Sequence, residues 1–146
     1  LDATMYGRPV DVANDPKVAR RTVYGMVDRQ GLPAVFRAFD FASPDASAER
    51  RPLTTVPQQA LFGMNAPLVV EQAKALADRP EVAGGDDAAA VAALYRLALG
   101  RAAEPDEVDM AGRFLQAAAG GPAPALAPRA QLAQVLLISN EMMFVD

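Results

Sequence analysis

The chain contains neither cysteine nor histidine, and those two absences exclude more chemistry than any residue present suggests. Disulfides, thiolate nucleophiles, Cys/His zinc sites and His-ligated haem are ruled out within the chain. So are a Ser–His–Asp triad and a histidine general base. Aspartate, glutamate, lysine and tyrosine remain for proton transfer, and a site built from carboxylates alone remains for a cation. The lack of cysteine leaves the compartment open, because exported and cytosolic proteins both occur without it.

Positive charge is also in short supply: 14 basic residues stand against 18 acidic ones, a net charge of −4. A phosphate-binding surface needs clustered excess Lys and Arg, so no nucleic-acid partner is expected. No apolar run approaches the roughly eighteen residues that span a bilayer, and no membrane span is expected. No glycine-rich phosphate loop occurs, since Gly84-Gly85 and Gly120-Gly121 are lone pairs in linkers.

What is present suits an ordinary globular protein: 51% of residues are apolar and 22% charged. The length of 146 residues fits one domain, with a sub-boundary expected near residues 80–86. The opening Leu1-Asp2-Ala3-Thr4-Met5 has no initiating Met and no basic-then-apolar leader. It reads as mid-domain sequence, so the chain is expected to be a fragment of a larger family domain.

Helical punctuation recurs along the chain. Residues 1–14 lack helical periodicity, and Gly7-Arg8-Pro9 reads as a turn in an extended N-terminal arm. Asn14-Asp15-Pro16 predicts a helix running to about Gln30 and stopping at Gly31. Pro33 opens a short helix carrying Val35, Phe36 and Phe39, followed by a polar loop over residues 41–53. Thr54 or Thr55 caps the next helix, with Pro57 in its first turn and Ala60, Leu61 and Met64 on its inner side. Asn65-Ala66-Pro67 opens another, which ends near Arg79-Pro80.

Residues 81–85 read as a hinge-like linker before a helix led by Asp86 and Asp87 and closed by Gly100. Glu104-Pro105-Asp106-Glu107 starts a further helix that ends at Gly120-Gly121-Pro122-Ala123-Pro124. The last opens at Pro128 and carries Leu132, Val135, Leu136, Ser139, Met142 and Met143 at i, i+3, i+4, i+7 spacing. No segment alternates as a strand does. The expected fold is all-α, a compact bundle of about six or seven helices.

One stretch, residues 20–65, is unusually polar for its aromatic content. Arg20, Arg21, Asp40, Arg50, Arg51, Gln58 and Asn65 are interleaved there with Tyr24, Phe36, Phe39 and Phe41. Arginine forks bind carboxylate, sulfate or phosphate, and amides fix orientation, so these six Arg, Gln and Asn residues are candidate ligand-binding groups. Asp40 is the one candidate acid or base. The plainer alternative, which general behaviour favours, is that Arg and Asp pair internally while Gln and Asn satisfy loop backbone. The acidic residues Asp86, Asp87, Glu104, Asp106, Glu107 and Asp109 lack calcium-loop spacing, and helix dipoles explain most of them; no metal site and no cofactor is expected. Met64, Met142, Met143 and Phe144 read as core or interface filler.

Several ordered stretches together carry a resemblance. They are Ala19-Arg20-Arg21-Thr22-Val23-Tyr24; Phe39-Asp40 with Arg50-Arg51 and Thr54-Thr55-Val56-Pro57-Gln58-Gln59-Ala60-Leu61; Asn65-Ala66-Pro67; and Leu94-Tyr95-Arg96-Leu97-Ala98-Leu99-Gly100-Arg101 with Glu104-Pro105-Asp106-Glu107. The ending, residues 136–146, completes the pattern. The chain resembles the C-terminal domain of unknown function of exported planctomycete cytochrome-c-associated multidomain proteins. That resemblance implies upstream domains, often one with a cytochrome-c-type haem, and a periplasmic or cell-surface location. Relatives often read Asn-Asp-Pro where this chain has Asn65-Ala66-Pro67, so any role of that Asp is lost here. The family has no established catalytic residues to carry over.

Three functional readings compete. The leading one is a non-catalytic helical interaction module that packs on upstream domains of its parent or on a partner protein. It expects an exposed apolar patch near the N-terminus. The rival is part of an enzyme or binding site for an anionic carbohydrate or similar polysaccharide, with Asp40 as acid or base and Arg21, Arg50 and Arg51 as anion clamps. The third is a docking surface for an attached cytochrome.

Overall fold

The structure, a computed structural model, describes residues 4–13, 15, 18, 20–47, 49–50, 54, 56–120 and 126–143. Within these the all-α expectation holds: eight α-helices and one 3-10 turn, with an isolated bridge between Val10 and Gly25 and no strand. The chain divides into two compact units, Leu1–Phe62 and Gly63–Asp146. Residues 80–86 lie inside the second.

Proline sets most helix starts. Pro57, Pro67, Pro80, Pro105 and Pro128 are each the first residue of a helix, where the missing N–H has no intrahelical partner to lose and φ is already helical. Ala66, Arg79 and Ala127 precede three of them without any capping side-chain bond.

Among the described residues of the first unit, only α1 (Ala34–Ala38) and most of α2 (Pro57–Asn65) are helical beyond the 3-10 turn at Thr22–Tyr24. The helix expected from Asn14 to Gln30 is not there. Asn14, Pro16, Lys17 and Ala19 lie outside the described residues, but Val18, Arg20 and residues 21–30 are non-helical apart from that turn. Gly25 and the β-branched Val18, Thr22, Val23 and Val27 weaken helix locally. A different pairing takes their place: the Val10 amide donates to Tyr24 O at 3.0 Å and the Met26 amide to Val10 O at 2.9 Å. A Cβ on Gly25 would lie 2.8 Å from a Val12 methyl, so only glycine permits this approach.

Among the described residues of this unit Phe36 is the buried one, stacked on Phe41 with centroids 5.2 Å apart, while Phe39 meets Phe62 edge-on at 5.4 Å. Gln59 ties the ends of the polar loop together. Its Nε2 donates to Ala38 O at 2.8 Å and to Thr54 O at 3.0 Å.

The second unit is a helical bundle of α3 (Pro67–Ala77), α4 (Pro80–Ala83), α5 (Asp87–Leu99), α6 (Pro105–Ala119), α7 (Pro128–Leu137) and α8 (Asn140–Met143). α3 lies along α7, and α5 packs on α4, α6 and α7. Leu94, Val82 and Val91 are wholly buried at its centre, joined by Tyr95, Ala111, Leu115, Leu132 and Leu136. Each aliphatic side chain so buried contributes about 1.5–3 kcal/mol. Asp86 caps α5 by accepting the Ala89 amide at 2.8 Å, and Gly100 closes it in the left-handed region, φ 72°, where other residues are strained.

Three details differ from the sequence reading. The hinge-like 81–85 segment is largely helix α4, clasped by Arg129, which donates to Val82 O at 2.7 Å, to Gly85 O at 2.9 Å and to the Asp87 carboxylate at 2.9 Å. The final helix is broken at Ser139, whose hydroxyl donates to Leu136 O at 2.8 Å while its carbonyl accepts the Met142 and Met143 amides. Leu61, Met64, Met142 and Met143 are exposed rather than core, and Phe144 lies outside the described residues. The side of α2 that is buried carries Gly63, where a Cβ would lie 2.8 Å from an Ile138 methyl. Gln134 closes that contact by donating to Gly63 O and Met64 O.

Candidate functional site

The polar residues of the first unit fall into separate local roles. Arg20 reaches back along the N-terminal arm: Nη2 donates to Tyr6 O at 2.6 Å and Thr4 O at 3.1 Å, and the guanidinium lies 4.3 Å from the Tyr24 ring centroid. Gly7, with φ 110°, leaves room for it, since a Cβ there would come within 3.3 Å of Nη1. Arg20 therefore holds an irregular segment in place, a task suited to the five donors of a guanidinium.

Asp40 stands where the chain leaves α1, in the left-handed region at φ 54°, a conformation that Asp tolerates better than most residues. Both its carboxylate oxygens face Thr54. The Thr54 amide donates to Oδ2 at 2.7 Å and the Thr54 hydroxyl lies 2.8 Å from Oδ1. Beside Asp40 is an open hollow of about 420 Å³, with Arg29, Gln30, Arg37, Phe41 and Asp45 also on its wall.

Among the described residues lining that hollow, Asp40 is the sole member of the candidate set. Arg21, at the start of the 3-10 turn, Arg50, and Gln58 on α2 are all exposed, and Asn65 closes α2 in an exposed position. Arg51 and Thr55 lie outside the described residues. Sequence reading singled out Gln58, whereas its neighbour Gln59 carries the hydrogen bonds. It also passed over Arg29 and Arg37, which no local motif marks.

The second unit holds a denser ionic cluster, centred on Arg101 just after α5. The guanidinium grips Glu107 through Nη1 and Nη2, both at 2.7 Å, and Glu141 through Nε at 2.6 Å and Nη2 at 2.8 Å. The Tyr95 ring centroid lies 5.5 Å away. Glu107 also accepts the Glu104 amide at 2.8 Å, capping α6.

Hydrogen bonds from Arg101 pull the Glu107 carboxyl down from its ordinary 4.5 to about 2, and lower Glu141 too. The same bonds raise the Arg101 guanidinium, and burial raises the Tyr95 phenol. A guanidinium clamped on two sides by ionised carboxylates has neither a free fork for a ligand nor a proton to give near neutral pH. The cluster joins α5, α6 and α8. Its motif residues Arg101, Glu104, Glu107 and Glu141 are legible in the sequence; their convergence is not.

Compared with known proteins, residues 1–115 match the model of one family, PSD1, described as a protein of unknown function (DUF1553). α7 and α8, and Glu141 with them, lie beyond the matched residues. No curated protein and no solved structure gives a match.

Proposed function

We propose, from the premise that the chain belongs to this family of unknown function, that it is a non-catalytic helical interaction module of a larger exported protein. The observation that supports the reading is an exposed apolar set near the N-terminus. Tyr6 and Val23 are 77% and 74% exposed, and Met5 and Met26 are exposed with them. The segments that carry them are held to one another by the Val10 pairing and by Arg20, so these side chains are displayed on a fixed backbone. Contiguous exposed apolar patches mark interaction surfaces, and the pairing brings the segments that carry these four residues near one another.

The engaged state of Arg20, Arg101 and Arg129 on carbonyls and carboxylates is consistent with a scaffold role. The natural occupant of the apolar set is the preceding part of the parent chain. The resemblance to planctomycete cytochrome-c-associated proteins extends this reading to a periplasmic or cell-surface setting, with a haem domain among the neighbours.

The test is affinity in trans. The preceding segment of the parent, titrated into this chain by calorimetry, is expected to bind, and Val23→Asp with Met26→Asp to weaken binding at least tenfold, about 1.4 kcal/mol. Equal affinity for the variant and the unsubstituted chain contradicts the proposal.

A further inference from the structure

α6 turns one side to the core and leaves another bare. Ala111 and Leu115 are buried and Val108 is half-buried. At about 100° per residue, positions 106, 110, 113, 114 and 117 fall together on a different side. Met110 is 65% exposed there, and Phe114 and Ala117 are exposed beyond it. Met110 and Phe114 are four residues apart, so their side chains adjoin and form one apolar stripe.

Charge runs along one edge of that stripe. Asp106, Asp109 and Arg113 all lie to the same side of the line from Met110 to Phe114. Arg113 reaches back to Asp109 at 2.7 Å, but the two side chains are 73% and 69% exposed, and so solvated a pair is readily exchanged for another. The Asp106 carboxylate is in no ion pair among the described residues. The edge is therefore acidic toward the start of α6 and basic toward its end.

That order complements itself when reversed. A second α6 laid antiparallel on the first, with the two-fold axis level with residue 112, sets Met110 against Phe114 of the second copy. A two-fold axis brings like edges together. Each Arg113 then lies within about 3 Å, measured along the helix axis, of Asp109 in the other copy, with Asp106 about one turn beyond. The helix dipoles also oppose one another. A parallel pairing would instead set the aspartates of both copies side by side, which is repulsive.

We infer that α6 is a self-association surface on which two copies of this chain pair antiparallel, with Met110 and Phe114 as the apolar contact and Asp106, Asp109 and Arg113 as the pairing charges. One helix of 15 residues covers less than a standard interface, so the pair is weak, dissociating on the order of 100 μM. The inference does not rest on the interaction role proposed above, which concerns the N-terminal residues.

Sedimentation equilibrium of the whole chain, from low-micromolar to millimolar concentration, is the test. A monomer–dimer equilibrium is expected. Met110→Gln should weaken it roughly tenfold and leave the helical spectrum as it is. Arg113→Asp makes the edge wholly acidic, and Asp106→Arg with Asp109→Arg makes it wholly basic. Each of these variants should stay monomeric alone, and the two should associate when mixed, because only the mixture sets opposite charges across the pair. A chain that is monomeric at millimolar concentration overturns the inference. So does a dimer that Met110→Gln leaves at full strength, or a mixture of the two edge variants that stays monomeric.

Discussion

At the scale of single residues, Arg101 makes two ion pairs at once. Its guanidinium is shared between Glu107 and Glu141, and replacing it leaves two facing carboxylates without a counter-charge. Both carboxyls titrate below their ordinary value when folded, so the stability they add is complete above about pH 4.5 and is lost as pH falls toward about 2. Thermal unfolding of the native chain should therefore shift to lower temperature across that interval. Arg101→Met should unfold earlier at pH 7, and the gap between the two should narrow as the carboxyls protonate. A gap that stays constant from pH 7 to pH 2.5 would contradict the assignment. Leu94 makes a second, purely apolar case. It is fully buried, and Leu94→Ala should cost about 3 kcal/mol in urea unfolding. Leu94 lies on a helix that Asp86, Asp87 and Gly100 mark in the sequence. Arg101 is a residue of a legible motif, but its convergence with Glu141 is not legible, because that partner lies 40 residues away.

Among elements, those with a stop or start written into the backbone matched the sequence best. Gly100 ends α5 where only a left-handed residue fits, and Pro67, Pro105 and Pro128 open their helices as read. The same proline signal misled twice. At Asn14-Asp15-Pro16 no helix follows in the described residues, because Val10, Tyr24 and Met26 pair across the chain and Arg20 holds the arm. At Pro80 a helix begins where a terminus was read, since Arg129 from α7 supplies the carbonyl partners that a four-residue helix cannot find in itself. Long-range side chains decided both outcomes, and periodicity does not report them.

Ser139 shows the opposite balance, a local residue overriding a helical period that runs on to Met143. Ser139→Ala should remove the bond to Leu136 O and the hydroxyl that faces the Met142 amide, lowering stability by about 1 kcal/mol. Its circular dichroism should still show helix content at least equal to that of the native chain. A stability unchanged by the substitution would show that Ser139 is not what divides α7 from α8.

For the whole molecule, the central fact is that the apolar core cluster lies entirely between Ala73 and Leu136. A fragment of residues 63–146 should therefore fold alone, giving a cooperative melt and a helical spectrum. A non-cooperative melt would mean that its core depends on the preceding residues.

The described residues of the first unit include few buried side chains and display Met5, Tyr6, Val23 and Met26, and the proposed interaction role rests on those four. The most direct measurement is hydrogen–deuterium exchange on the isolated chain and on the same residues within the larger protein proposed as its parent. Exchange at Met5, Tyr6, Val23 and Met26 should slow in the parent while residues 87–119 stay as they are. Identical exchange at those four positions in both would contradict the account.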